Sequence, residues 1–387
     1  MPEIGSGVVL VGMPGSGKST VGRLVAERLG RPFVDTDTLF ERLHGMPVPD
    51  YLSEHGEPAF REAESHAVAE ACATPGAVIG AGGGAVLEPL NRWALWHHGV
   101  VAWLDPSADH LVARLATDAV PRPTFAPYDA DRLAAVRAER LPAYRAADLH
   151  LQADRPPERV ADALVARRAH PAGRRLYDAE VARHHPIGPT TSRVVLGVEL
   201  PLAELVPAGI AVVDRRVGLS VPARASLVIR AGERAKRLRV LERVLEWLAS
   251  QRVERGEALI AVGGGTTGDL AGTAASLYHR GIGLVQVPTT WLAQADSALG
   301  GKVAVDLPGA KNAIGAFWPP LAVLADVAAL RSLPAAFRRV GAAESVKAAL
   351  IGDPALWRLL EDRGRRALQR DEPARYAIIE RSARLKL

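Results

Sequence analysis

The sequence predicts two consecutive α/β domains followed by a helical region, and three observations support this fold class. Short apolar runs such as Val8–Val11 and Val100–Leu104 alternate with stretches of helical periodicity over the first 170 residues. The same alternation returns from Val194, and from about Pro334 the sequence is helical and rich in Ala, Arg and Leu. Strands that alternate with helices are typical of parallel sheets wrapped by helices.

A chain of 387 residues is too long for one ordinary core, so we divide it into segments. The first α/β domain takes residues 1–170 and the second takes residues 193–333. Residues 171–192, which include HHPIGPTTS, are predicted to be an irregular linker because prolines, glycine and hydroxyl residues cluster there. Residues 334–387 are predicted to be the start of a helical domain.

The composition argues against several classes of protein. Hydrophobic residues make up 48% of the chain and charged residues 24%, which is the ordinary globular range. No run of 18 apolar residues exists, so a membrane is not expected as a partner, and the N-terminus lacks the features of a signal peptide. Cys72 is the only cysteine, which predicts a cytoplasmic chain without an intramolecular disulfide.

The net charge of +5 is spread along the chain, and no patch interleaves basic and aromatic residues. Nucleic acid is therefore not expected as a partner, whereas anionic small molecules suit the many arginines. Only six of the 48 basic residues are lysines. Because this composition prefers Arg, we expect Lys where a compact ammonium is required. Five of the six lie in Gly-rich or polar motifs: Lys18, Lys236, Lys302, Lys311 and Lys347.

The first motif, GMPGSGKST at residues 12–20, fits G-x-x-x-x-G-K-[ST] between a predicted strand and a predicted helix over 18–29. Its backbone N–H groups and the helix N-terminus would face phosphate oxygens. Lys18 would reach the β- and γ-phosphates, and the Ser19 hydroxyl would bind Mg²⁺. The predicted ATP-binding residues are Gly15, Ser16, Gly17, Lys18, Ser19 and Thr20.

Polar residues farther along the first domain suggest an acceptor site. Asp35 and Asp37 follow a short apolar segment, and two carboxylates two residues apart at a strand end point the same way. One can support the metal while the other meets an acceptor hydroxyl. Arg61 and Arg140 would suit an acceptor that carries a carboxylate, because the guanidinium fork pairs bidentately with that group.

GMPGSGKST, DTD, FRE, GGGAV and RLPAYR, in this order and at these spacings, resemble shikimate kinase over residues 5–170. The resemblance implies a three-layer α/β/α P-loop kinase that phosphorylates the shikimate 3-hydroxyl in the biosynthesis of chorismate and the aromatic amino acids. It implies that Lys18, Asp37 and Arg122 are catalytic and that Arg122, in VPRPTF, closes over ATP. Arg114 would lie near the adenine, and Asp35 would help Ser19 hold Mg²⁺. Shikimate would be bound by Asp37, Arg61, Gly82, Gly83 and Arg140.

An alternative is a P-loop kinase for gluconate or a nucleoside monophosphate. That alternative fits GMPGSGKST, but it does not fit the combination of DTD, Arg61, the glycines at 82–84 and Arg140. A panel of acceptors would separate the two.

In the second α/β domain, IAVGGGTTGD at residues 260–269 is a strand that runs into a Gly-rich turn. Such a turn suits a dinucleotide pyrophosphate, although its spacing differs from G-x-G-x-x-G. With AGERAK, VPTTWLAQADSALGGK, GAKNAIGAFWPP and AAESVK in the same order, residues 194–387 resemble 3-dehydroquinate synthase. The chain is therefore interpreted as a fusion of two enzymes of one pathway.

The second resemblance implies NAD, a phosphorylated heptulosonate substrate and a catalytic Zn²⁺. NAD contacts are expected from Glu233, Lys236, Gly265, Thr266, Thr267, Gly268, Asp269, Thr289, Thr290, Lys302 and Lys311. Substrate contacts are expected from Asp296, Lys302, Asn312 and Lys347. Glu344 matches one zinc ligand of the family.

The family's two zinc-binding histidines have no counterpart, because no histidine follows His279. A catalytic zinc normally has three protein ligands, so we expect an incomplete zinc site, a synthase-like region cut short and little synthase activity. The alternative is that this half is a non-catalytic NAD-binding or dimerisation module. A homodimer would form through this half.

Overall fold

The computed structural model of the protein describes residues 6–117, 130–169, 173–185 and 188–387. The chain divides into two compact units, Met1–Ala172 and Gly173–Leu387. Among the described residues, no helix combines the length and the hydropathy that crossing a membrane requires.

The first unit is built on a five-stranded sheet in which every pairing is parallel. The strand order β2-β3-β1-β4-β5 places β1 at the centre, and all five residues of β1 are buried. Because parallel strands end at one edge of a sheet, the segments that follow β1, β2 and β3 meet there. The strands are β1 (Gly7–Val11), β2 (Phe33–Asp35), β3 (Val78–Gly80), β4 (Gly99–Asp105) and β5 (Leu149–Gln152).

The helices of the first unit connect and cover these strands. The helix predicted over 18–29 is present with the same bounds, and its apolar residues Val21 and Val25 pack into the core with β1. The third helix bends at Gly56, where φ is 77° and Pro58 follows. The helices are α1 (Lys18–Leu29), α2 (Thr36–His44), α3 (Val48–Cys72), α4 (Pro89–His98), α5 (Ala108–Thr117), α6 (Ala130–Arg145) and α7 (Pro157–Arg167).

The second unit contains a seven-stranded sheet of order β6-β7-β14-β11-β10-β8-β9 and a separate antiparallel ribbon of β12 and β13. In the larger sheet only the β6–β7 pair is antiparallel. The strands are β6 (Arg174–His185), β7 (Gly188–Val198), β8 (Gly209–Asp214), β9 (Ser226–Ile229), β10 (Ala258–Gly263), β11 (Gly283–Pro288), β12 (Lys302–Leu307), β13 (Ala310–Phe317) and β14 (Ala322–Asp326).

Helices connect the central strands of this sheet, and three more helices come after its last strand in the chain. The helical region predicted from about residue 334 is confirmed, because three consecutive helices occupy it. The helices of the second unit are α8 (Leu202–Leu205), α9 (Leu238–Ser250), α10 (Gly265–Leu277), α11 (Ala335–Gly352), α12 (Pro354–Ala367) and α13 (Glu372–Lys386).

The structure differs from the irregular linker predicted for residues 171–192. Most of this segment belongs to β6 and β7, which pair over a long antiparallel register from Arg174↔Val198 to His185↔Gly188. The β7 strand also pairs in parallel with β14, more than a hundred residues later. Pairing with a distant strand therefore overrides the local preference of proline and glycine for irregular structure.

Candidate active sites of the two units

The loop between β1 and α1 is shaped by three glycines with positive φ angles. These are 148° at Gly12, 78° at Gly15 and 91° at Gly17, a region of backbone conformation that favours glycine. The loop ends where α1 begins at Lys18. The Nζ atom of Lys18 donates hydrogen bonds to the carbonyl oxygens of Gly12 and Met13, each at 3.0 Å. The ammonium therefore lies over its own loop, beside the N-terminus of α1.

Ser19 and Asp35 meet at the edge of the sheet. The Ser19 hydroxyl donates to Asp35 Oδ2 at 2.6 Å, while Asp35 Oδ1 accepts from the backbone N–H groups of Asp37 and Thr38 at 3.1 and 3.4 Å. Asp35 is thus the N-cap of α2. Asp35 and Asp37 were predicted to point the same way from the end of a strand. This prediction is wrong, because α2 begins at Thr36 and Asp37 lies in its first turn.

One cavity of about 430 Å³ brings the donor-side residues together. Arg114 approaches this cavity from α5 and donates to the carbonyl oxygens of Gly15 and Ala153 at 3.3 and 3.2 Å. The predicted residues that line the cavity are Gly15, Ser16, Gly17, Lys18, Ser19, Thr20, Asp35, Asp37 and Arg114. Arg122 lies outside the described residues.

The sequence reasoning missed several residues of this cavity. Ala153, Arg155 and Pro157 line it, and they follow β5 in the chain. No local motif marks them, because their position beside the cavity follows from the order of the strands, in which β5 lies next to β4. The buried Ser16 Oγ has no hydrogen-bond partner among the described residues, so a polar group in the cavity could satisfy it.

The loop Gly82–Gly84 packs closely against the predicted acceptor residues. A Cβ atom on Gly82 would lie 2.5 Å from Asp37 Oδ1, and one on Gly84 would lie 2.4 Å from Arg61 Nη1. A Cβ atom on Gly83 would lie 3.0 Å from Arg140 Nη1. The loop therefore brings Asp37, Arg61 and Arg140 to one place, and this arrangement depends on the absence of side chains.

Arg61 is held by carboxylates of its own helix. Its Nη1 donates to Glu64 at 2.8 Å and its Nη2 to Glu57 at 3.2 Å. Burial raises the pKa of the Glu64 carboxyl, although the Arg61 guanidinium acts in the opposite direction. Burial acts to lower the pKa of Arg61, but Glu64 and Glu57 together raise it. Sequence reasoning missed Glu64, and its i,i+3 spacing from Arg61 was the available signal.

In the second unit, the Gly-rich turn joins β10 to α10. The backbone N–H of Thr289 donates to the Gly263 carbonyl at 2.9 Å, which ties the end of β11 to this turn. A Cβ atom on Gly264 would lie 2.9 Å from Thr290, and one on Gly265 would lie 2.9 Å from Ser297 Oγ. Of the other predicted NAD residues, Thr266, Thr267 and Gly268 lie in the first turn of α10.

Lys236 is buried and holds distant segments together. Its Nζ donates to Asp269 Oδ2 at 2.6 Å and also to Asn312 Oδ1. Burial raises the pKa of the Asp269 carboxyl, while the Lys236 ammonium opposes that shift. Asp306, which the sequence reasoning missed, accepts from the Asn312 N–H at 2.7 Å.

A second cavity, of about 440 Å³, contains part of the predicted NAD and substrate set. Four predicted residues line it: Asp269, Asp296, Lys302 and Asn312. Lys386 from α13 also lines it and forms an ion pair with Asp296 at 2.8 Å. The sequence reasoning did not place Lys386 in the site, because no motif surrounds it and 90 residues separate it from Asp296.

The remaining predicted residues lie outside this cavity. Glu233 and Lys311 form an exposed ion pair at 3.6 Å. Glu344 and Lys347 pair with each other on α11, and this pairing raises the pKa of Lys347. Within the part of the chain that the structure describes, no group of three His, Cys, Asp or Glu side chains could hold a metal ion. A catalytic zinc therefore does not fit the described residues around Glu344.

Comparison with known families agrees with the two-part architecture. Residues 14–168 match the family model of shikimate kinase. Residues 226–339 match the model of the 3-dehydroquinate synthase N-terminal region. Both resemblances predicted from the motifs are confirmed. The matches do not favour a kinase for another acceptor or a non-catalytic second half.

Similar proteins have been found for each half. The 3-dehydroquinate synthase of Cereibacter sphaeroides strain KD131 is 39% identical over 230 residues, which are 59% of this chain and 57% of that protein. The 3-dehydroquinate synthase of Caulobacter vibrioides strain NA1000 is 46% identical over 160 residues, which are 41% of this chain and 43% of that protein. The solved shikimate kinase of Acinetobacter baumannii in complex with shikimate is 30% identical, with a TM-score of 0.40, over 43% of this chain and 91% of that one.

The chain spans about half the length of the curated relatives it matches. The two family matches occupy separate units of the structure, one before and one after residue 172. The chain therefore joins a shikimate kinase domain to a region of the 3-dehydroquinate synthase type.

Proposed function

We propose that the first unit transfers the γ-phosphoryl group of ATP to the 3-hydroxyl of shikimate. One observation carries this proposal. The loop Gly82–Gly84 packs against Asp37, Arg61 and Arg140, and Asp37 also lines the cavity that contains Lys18. Arg61 and Arg140 would bind the carboxylate of the acceptor, and the loop that contains Lys18 would bind the phosphates of ATP, which is the combination that a hydroxy-acid kinase requires.

The donor side would hold ATP and Mg²⁺. Ser19 and Asp35 would bind Mg²⁺, which supplies positive charge beside the phosphate oxygens when it is bound. Their 2.6 Å hydrogen bond supports this proposal, because it brings together two oxygen atoms of the kind that Mg²⁺ prefers. Lys18 would turn from the carbonyls of Gly12 and Met13 to the β- and γ-phosphates, and Arg114 would bind near the base. Arg122 is proposed on its sequence context alone to close over the phosphates.

On the acceptor side, the shikimate carboxylate would accept hydrogen bonds from the guanidinium groups of Arg61 and Arg140. Glu64 would hold Arg61 in place, since the two groups are 2.8 Å apart. Asp37 would orient the 3-hydroxyl and accept its proton as the new O–P bond forms. Gly82 and Gly83 would allow the substrate ring to lie close to the backbone.

For the second unit we propose binding of NAD and of a phosphorylated, anionic substrate, in keeping with a 3-dehydroquinate synthase type of site. The Gly-rich turn at the N-terminus of α10 suits a pyrophosphate. Lys302 and Lys386 line the adjoining cavity and would attract the substrate phosphate. A homodimer through this unit stays a prediction from the sequence.

The purified chain should be assayed with ATP, Mg²⁺ and a panel of acceptors that includes shikimate, gluconate, nucleoside monophosphates and a shikimate analogue without the carboxylate. We expect phosphorylation of shikimate and poor turnover of the analogue, because Arg61 and Arg140 would lose their partner. Efficient phosphorylation of gluconate or of the analogue, with little of shikimate, would refute the proposal.

A further inference from the structure

Two hydroxyl groups outside the predicted site form hydrogen bonds with the backbone of the loop Gly82–Gly84. Thr36 Oγ1 accepts a hydrogen bond from the Gly82 N–H at 2.7 Å, and Thr36 is buried. The Tyr144 hydroxyl donates to the Gly83 carbonyl at 3.2 Å. Neither residue lines the donor cavity. Both contacts therefore act directly on the glycine loop, and the phosphate-binding loop meets that loop through Pro14, which lies against Gly83.

Tyr144 also connects the loop to Arg140. Its hydroxyl accepts a hydrogen bond from the Arg140 guanidinium while it donates to Gly83. The ring is buried and stacks on Trp103 with centroids 5.7 Å apart and planes at 19°. Burial raises the pKa of Tyr144 to about 12, so the hydroxyl keeps its proton at neutral pH. It is a rigid donor and acceptor at once.

We propose that Thr36 and Tyr144 are positioning residues for acceptor recognition, an inference that rests on the proposed kinase function. Asp37, Arg61 and Arg140 approach the loop so closely that a shift of its backbone would displace them. Thr36 fixes Gly82, which lies against Asp37, and Tyr144 fixes both Gly83 and Arg140. Removal of either hydroxyl should therefore disturb the acceptor site more than the ATP site, with which the acceptor site shares Asp37.

The test uses two variants and two matched controls in the full chain. Tyr144→Phe removes one hydroxyl and keeps the ring, and Thr36→Val removes one hydroxyl at nearly constant volume. Thr36→Ser keeps the hydroxyl, and Tyr51→Phe removes a hydroxyl from another aromatic contact of the same unit, where Tyr51 lies 5.1 Å from Phe40. We expect the KM for shikimate to rise about tenfold in the two test variants, because a buried polar partner is lost. The KM for ATP should stay within about twofold, and both controls should resemble the unmutated protein.

The outcomes separate this inference from the proposed function. If the unmutated chain does not phosphorylate shikimate, the kinase proposal fails and takes the inference with it. If the unmutated chain is active and Tyr144→Phe leaves the shikimate KM unchanged, or raises both KM values together, the positioning role alone is refuted. Should Tyr144→Phe fail to fold, Thr36→Val and Thr36→Ser decide the matter, since a merely structural role would lower the Tm of Thr36→Val without splitting the two KM values.

Discussion

The two units place a lysine beside a Gly-rich turn in different ways. Lys18 donates to two carbonyls of its own loop, five and six residues earlier in the chain. Lys236 donates to Asp269 and Asn312, which are 33 and 76 residues later. The first ammonium is therefore positioned by local backbone conformation, whereas the second is positioned by the folding of the whole unit. A substitution of Lys18 should therefore lower kinase turnover without changing stability. A substitution of Lys236 should change both ligand binding in the second unit and the stability of that unit.

The largest effect is expected for Lys18→Ala. Loss of the charge near the transferred phosphate should lower kinase turnover at least about a hundredfold. The Tm should change by no more than about 2 °C, because the bonds lost are local and partly exposed. Lys18→Arg should recover little of the turnover, since a planar guanidinium does not replace a compact ammonium. Turnover is measured with ATP and shikimate, and near-normal turnover of Lys18→Ala would contradict the assignment of the donor site.

The next effect concerns the two arginines beside the glycine loop. Arg61→Ala and Arg140→Ala should each weaken shikimate binding by about 2–5 kcal/mol, because a desolvated charge loses its partner. The ATP KM should change much less. Steady-state kinetics in both substrates provide the measurement, with Arg28→Ala as a control because Arg28 forms an ion pair with Asp162 elsewhere in the unit. A change in the ATP KM alone would show that the carboxylate role is wrong.

In the second unit, Asp269→Asn should lower the free energy of unfolding by about 2 kcal/mol, since the buried Lys236 loses its carboxylate. NAD affinity, measured by calorimetry, should fall as well, while kinase turnover should not change. Asp362→Asn serves as the matched control, because the pair between Asp362 and Arg366 is exposed and neither residue belongs to a predicted site. Equal stability of Asp269→Asn and the unmutated chain would mean that the long-range contacts of Lys236 do not support the fold.

The smallest effect is expected for Glu257→Gln, which measures how much an exposed ion pair contributes to stability. Hydrogen bonds from Arg224 and from the Glu254 N–H lower the pKa of Glu257 to about 2. A lowered pKa in the folded state contributes stability above the unfolded pKa, and this contribution disappears as the pH falls through the folded value. The Tm of Glu257→Gln should therefore be lower than that of the unmutated chain at pH 6, and the difference should shrink between pH 5 and pH 2. A constant difference over that range would contradict the assigned cause.

The same contrast between local and long-range contacts explains what could be predicted from the sequence. The motif GMPGSGKST defines its own backbone, so the position of Lys18 and the bounds of α1 followed from local residues. The pairing of β7 with β14 and the contact of Lys386 with Asp296 join segments far apart in the chain. Local pattern does not contain such information, which is why the linker was wrongly predicted and Lys386 was missed.

In the glycine loop of the first unit, the fold should tolerate substitutions that the function does not. At Gly99 a side chain would meet the backbone oxygen of Gly7 at 1.9 Å, so two strands would have to move apart. At Gly82 and Gly84 the obstructing atoms are the ends of the Asp37 and Arg61 side chains, which can swing aside. In a library that samples every residue at these positions, a screen for soluble expression should accept alanine at 82 and 84, and growth that depends on the enzyme should reject it. At Gly99 both selections should reject the same variants.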